Sequence, residues 1–136
     1  MRWGAITVAA LAVWITVGSS VGRGQKAGDG TRAVMAAKLR LAQNILEGLT
    51  HEDFPYIVRQ ASQLLTLTRQ AGWRALEQPE YLRRSTDFRQ AITRVADAAG
   101  RRNLDAATLG YVQMTMACIN CHKYVRNPEV DRPLGR

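Results

Sequence analysis

Residues 103–125 read NLDAATLGYVQMTMACINCHKYV, and the rest of the chain is best read outward from them. Asn103 or Asp105 can accept the free amides of a helix start. No proline follows within the stretch. Leu109, Val112, Met116 and Ile119 recur at steps of three, four and three, the spacing of one helical face. The pattern predicts a helix over 106–125 with that stripe turned inward. Gly110 costs a helix about 1 kcal/mol relative to Ala, so close approach of a neighbouring helix is its expected reason. Both cysteines of the chain and one of its two histidines fall in the last turns, as Cys118-Ile119-Asn120-Cys121-His122.

Working backwards, Pro79 and Gly100 delimit a helix over 80–99, with Leu82, Phe88, Ile92, Val95 and Ala99 inward. A second helix is expected to be capped by Thr50, with Asp53 three residues on as its partner. Ile57, Ala61, Leu64, Leu65 and Thr68 form its inner face, and Gly72 ends it. The first helix is predicted over 32–47, with Met35, Leu39, Ala42, Leu46 and Leu49 inward and Gly48 as its stop. No stretch combines alternation with β-branched enrichment, so no strand is expected. Four amphipathic helices joined by short links predict an all-α, antiparallel up-down-up-down four-helix bundle over 31–126.

The ends read differently. Residues 23–30 are expected to be a flexible lead-in, and 127–136, with Pro128 and Pro133, an irregular tail. Arg2, the uncharged run 5–17 and small residues at 18–20 and 22 describe a secretory signal over 1–22. The alternative is an uncleaved anchor. Either reading puts the folded part outside the cytoplasm, in the periplasm. Charged residues make up 22% and hydrophobic ones 46%, so a packed core can form and disorder of the whole chain is not expected. The net charge is +8, and the leader takes only Arg2 from it. No basic run reaches five residues, so nucleic acid is not an expected partner.

The spacing Cys-x-x-Cys-His is the attachment signature of a c-type haem. Two thiols three apart share a helix face and can both reach one porphyrin edge. The next residue, His122, can then bind the iron as proximal ligand. Three other chemistries suit the motif less well. A redox dithiol belongs at the start of a helix, where the dipole lowers the thiol pKa, and this pair ends one. Zinc needs a fourth ligand, and only His51 remains. A disulfide within one helical turn is strained. One covalent haem c, held by Cys118 and Cys121, is the cofactor expected.

An all-α chain of this size with CxxCH near its C-terminus resembles the class II cytochromes c, the cytochrome c-prime group, over residues 31–126. Arg126, four after His122, matches that group's basic position. Val125 stands where the group often has an aromatic residue, with Tyr124 one earlier. Arg32 precedes Met35 by three residues, one fewer than is common there. In such a bundle the start of the first and third helices and the end of the second and fourth lie together. His51 falls at the other end and is not expected to bind iron. The resemblance makes Met35 either the sixth iron ligand or an apolar blocker of that site. Arg32, Arg74 and Arg126 are candidates to pair with the haem propionates, since Arg matches a carboxylate bidentately, and the motif position favours Arg126. Trp73 and Tyr81 are expected around the porphyrin edge, and Met114 and Met116 in the core or at the haem edge.

The function implied is electron transport between redox partner proteins, which the positive charge would bias toward acidic ones. The alternative is binding of a diatomic gas, nitric oxide or carbon monoxide. No distal acid–base residue is apparent, so no enzymatic activity is expected. Membrane contact is expected only with the leader retained. Dimerisation is a further implication of the resemblance.

Overall fold

The computed structural model describes residues 21–70, 73 and 76–127, with side chains from residue 28 onward. The leader residues 1–20, Gly72, Arg74 and residues 128–136 lie outside the described set. The fold is all-helical, with no strand among the described residues: α1 (Val21–Thr50), α2 (Phe54–Leu67), α3 (Pro79–Gly100) and α4 (Leu104–Arg126). The lead-in expected over 23–30 is helical, part of α1. No proline interrupts it, and extending a formed helix adds one hydrogen bond per residue fixed.

The caps follow local chemistry. The Asn103 side chain accepts from the Ala106 amide at 2.9 Å and starts α4. Pro79 occupies the first turn of α3, where its missing N–H costs nothing. The second helix departs from expectation. Asp53, not Thr50, caps it, its Oδ1 accepting from the Tyr56 amide at 2.9 Å. Thr50 donates instead to the Glu47 carbonyl at 2.8 Å, within the last turn of α1. Helix α1 therefore runs through Gly48. A Cβ there would lie 2.8 Å from Ile57 Cγ1 and 3.1 Å from Tyr56 Cδ1. Gly48 is thus a close-approach residue between α1 and α2 rather than a stop.

Each helix packs on the next in the chain, and α1 meets α4 only sparsely. Between α3 and α4, Gln78 pairs with Tyr124, Arg84 with Asn120, Arg94 with Gln113, and Val95 lies against Gly110. Residue numbers rise along one helix as they fall along the other. Asn44 Nδ2 donates to Gln60 Oε1 at 2.9 Å and ties α1 to α2. Ile45, Ile57, Leu64, Phe88, Ile92, Val95 and Met114 fill the core.

Three expected faces need correction. On α4, Leu109, Val112, Met116 and Ile119 are exposed, Leu109 by 60%, while Ala107, Gly110, Met114 and Tyr124 are buried. This helix is apolar on both sides, and packing selects the side with small residues. There α3 comes close enough that a Cβ on Gly110 would sit 3.1 Å from Val95 Cγ2. Met116 is consequently not core. On α1, Leu39 and Leu46 are exposed, and the inward residues are Val34, Lys38, Ile45 and Leu49. On α3, Leu82 is exposed, whereas Phe88, Ile92, Val95 and Ala99 are buried as expected.

Candidate functional site

A cavity of about 260 Å³ opens where α1, α3, α4 and the α2–α3 link converge. Thr31, Met35 and Lys38 line it from α1, Trp73 and Leu76 from the link, Tyr81 from α3, and Cys121, His122 and Val125 from α4. Its wall is almost wholly apolar. The volume falls just short of the roughly 300–1,000 Å³ of ordinary small-molecule pockets.

Cys121 and His122 reach the cavity from the last turns of α4. Those turns are fixed from α3. Arg84 Nη1 donates to the Asn120 carbonyl at 3.1 Å, and its guanidinium lies 5.4 Å from the Tyr124 ring centroid. The Tyr124 hydroxyl donates to Gln78 Oε1 at 2.5 Å. Cys118, one turn earlier than His122, is half-buried and packs against the core. Both thiols are free. Burial pushes the Cys121 thiol above its ordinary pKa, against the pull of Lys38 and Arg84, with Cys118 adding to the rise. Burial, then the charges of Lys38 and Arg126, lower the His122 pKa. The neutral imidazole this favours is the form that binds metals.

The opposite wall is aromatic. Trp73 is 3% exposed and stacks on Phe88 at a centroid distance of 5.3 Å. Its carbonyl accepts from the Tyr81 hydroxyl. Its indole Nε1 is buried with no hydrogen-bond partner among the described residues. Trp73 and Tyr81 thus stand beside Cys121 and His122, as the topological reading required. Met35 also lines the cavity, half-buried. Arg32 and Arg126 are exposed and are not among the lining residues. His51 is remote from the cavity. It lines a different pocket with Glu47, Gly48, Asp53 and Tyr56, its Nδ1 2.9 Å from the Glu47 carbonyl oxygen.

Sequence reading missed Lys38. It is only 7% exposed, and its Nζ lies 4.0 Å from the Phe88 ring centroid and 4.8 Å from that of Trp73. The signal was the stripe Val34, Lys38, Leu41, Ile45 and Gly48, at steps of four, three, four and three. A lysine in second place disguised it.

The residues present suit a haem c in three respects. A thiol and an imidazole share one wall, the other walls are apolar and aromatic, and a buried indole N–H lacks an acceptor among the described residues. Among the described residues no three His, Cys, Asp or Glu side chains cluster to hold a bare metal ion. No described helix is long and apolar enough to cross a membrane. No protein-family model matches the chain, and neither a curated protein nor a solved structure matches it.

Proposed function

We propose that the chain is an exported mono-haem c-type cytochrome that carries electrons. Its framework would be an antiparallel up-down-up-down bundle of the cytochrome c-prime kind, the arrangement that the α3–α4 pairings support. The observation that carries the reading is that Cys121 and His122 of the motif line an apolar cavity between α1, α3, α4 and the α2–α3 link, with Cys118 one turn away against the core. Each thiol, on Cys118 and Cys121, would add across a vinyl group, sulfur bonding to one carbon and hydrogen passing to the other. His122 would hold the iron on one side. Haem iron supplies a one-electron ferric–ferrous couple when bound.

The remaining residues set the surroundings of that couple. Trp73, Tyr81, Leu76 and Val125 exclude water from the cavity wall, and Tyr81 is already satisfied by the Trp73 carbonyl. Met35, which lines the cavity, would offer its thioether as a further ligand to the iron. Arg126, whose charge is felt at His122, and Arg32, beside Thr31, are the proposed partners of the propionates. Location in the periplasm, acidic redox partners and a homodimer belong to the same proposal. A second reading rests on Met35. It is half-buried in the cavity wall, so a diatomic gas could displace it.

Expression together with a haem c maturation system tests both readings. Haem that stays on the denatured chain, and is lost in the Cys118→Ala, Cys121→Ala double variant, is the expected result. Absence of covalent haem would overturn the proposal. A low-spin spectrum that Met35→Ala turns high-spin supports the carrier. A high-spin spectrum with ready carbon monoxide uptake supports gas binding.

A further inference from the structure

The outer side of α4 carries no charge over most of its length. Residues 106–122 contain no Asp, Glu, Lys or Arg, the longest such run after residue 22 in a chain of which 22% is charged. Leu109, Val112, Met116 and Ile119 lie on that side, each between 43% and 60% exposed. Thr108, Gln113, Thr115 and Asn120 flank them and are also exposed. The row lies across the helix from Ala107, Gly110 and Met114, and none of its four residues lines the cavity of Cys121 and His122. Single apolar residues on a surface are ordinary, but a continuous row of them marks an interaction face.

The ends of the row say what covers it. Asp105, Leu109, Val112, Met116, Ile119 and Lys123 recur at alternate steps of four and three, the period of a coiled-coil seam. Asp105 and Lys123 are exposed, and neither belongs to an ion pair among the described residues. The row is symmetric about residue 114. Asp105 and Lys123 stand nine residues from it, Leu109 and Ile119 five, Val112 and Met116 two. Laid antiparallel on a second α4, about a two-fold axis at that point, each residue meets its complement. Asp105 faces Lys123 of the second copy, Leu109 faces Ile119, and Val112 faces Met116. A two-fold contact makes every such pairing twice. A parallel pairing would instead set each end charge on its own like. We propose that this row is a homodimer interface, in which two copies pack α4 against α4, antiparallel, along about 27 Å of helix. Chains of net charge +8 repel one another, and on this face no cation meets a cation. An acidic partner protein would find no charge to match along 106–122.

The interface gives a face to the homodimer of the proposed function and rests on that part of the reading, not on haem. Sedimentation equilibrium of the purified protein, under reducing conditions and over a range of concentrations, tests it. The expected result is a reversible equilibrium of monomer and dimer. Met116→Glu sets two carboxylates beside the two-fold axis and should raise the dissociation constant about 100-fold or more, the scale of juxtaposed like charges. Circular dichroism of the dilute variant should match that of the wild type, because Met116 is half exposed and outside the core. A wild type that stays monomeric to its solubility limit overturns the proposal, and so does a dimer that Met116→Glu leaves intact.

Exchange of the end charges tests the antiparallel register, and it decides alone should Met116→Glu fail to fold. Asp105→Lys and Lys123→Asp should each weaken the dimer about tenfold, the scale of two exposed ion pairs turned repulsive. The double variant, Asp105→Lys with Lys123→Asp, should associate like the wild type, because both pairs form again with their signs reversed. A double variant no stronger than the single ones would mean that these charges serve only the dipole of their own helix, and would overturn the proposal. Absence of covalent haem would sink the cytochrome reading and leave both tests of the interface standing.

Discussion

Replacing Gly110 by alanine tests whether α4 is positioned by close contact with α3. Two effects oppose each other. Alanine favours the helical state by about 1 kcal/mol over glycine. The new methyl would lie 3.1 Å from Val95 Cγ2, 3.2 Å from its amide nitrogen and 3.4 Å from its Cα. Two of these three atoms belong to backbone, and Val95 is fully buried. A rotamer change cannot relieve the contact, so α3 and α4 must separate. Forced insertion of this kind costs about 1–3 kcal/mol. The net expectation is a loss of about 0–2 kcal/mol. Gly30→Ala is the internal reference, because its Cβ would meet nothing within 4 Å and the residue lies inside α1. It should gain up to about 1 kcal/mol. The propensity gain is common to both, so the gap between the variants isolates the steric cost, about 1–3 kcal/mol. Urea unfolding followed by far-ultraviolet circular dichroism measures it as a shift in midpoint at unchanged slope. If Gly110→Ala stabilised the protein as much as Gly30→Ala does, the close-contact argument would be refuted.

The outward stripe on α4 gives a second expectation. Leu109→Gln and Met116→Gln should each change stability by no more than about 0.5 kcal/mol, whereas Met114→Ala should cost about 2–5 kcal/mol. Comparable losses at all three sites in the same unfolding assay would restore the stripe to the core. The pH dependence of the apo-protein follows from His122, whose native pKa is lowered from the ordinary 6.5. Well above that value both states are neutral and this residue contributes no slope. As pH falls through it, the unfolded chain takes up a proton that the native state resists, so stability declines until the native pKa is passed. His122→Asn should flatten the curve in that window, and an unchanged curve from about pH 7.5 to 5 would contradict the assignment.

The elements were legible in the sequence because their punctuation is local. Pro79, Gly100 and Asn103 act within one turn of where they stand, and the structure uses them as read. The faces were less legible because they depend on the neighbour. On α4 the bulky apolar residues lie opposite the small ones, and a hydrophobic stripe alone favours the bulky side. The packed side is chosen by how near α3 can come, which is a property of two helices. On α1 a lysine inside the true stripe pushed the reading a third of a turn aside, onto Leu39 and Leu46. Of the site, Cys121, His122, Met35, Trp73 and Tyr81 were placed at one end from helix order and short links alone. Lys38 was invisible by the same logic that makes lysine a surface residue. Its burial is legible only once the two aromatic rings beneath it are known.

The buried stripe of α4 bears on the site more directly than either error suggests. Ala107, Gly110, Met114, Ala117, Cys121 and Tyr124 are spaced three, four, three, four and three. Four of them are buried, and Ala117 and Cys121 are partly so. Cys121 is therefore a member of the helix's packing face as well as of the motif. From Gly110 to Cys121 is eleven residues, about three turns and about 16 Å along the axis. The contact of Gly110 with Val95 sets the rotation of α4 about its own axis at one end. The Arg84–Asn120 and Gln78–Tyr124 hydrogen bonds set it at the other. Between these two fixed points the helix cannot turn, and Cys121 with His122 after it is held at the cavity edge. The small residues that hid the packing face from a hydrophobicity reading are thus what aim the motif. The bulky residues on the opposite side leave that aim unaffected, which is why they can face solvent.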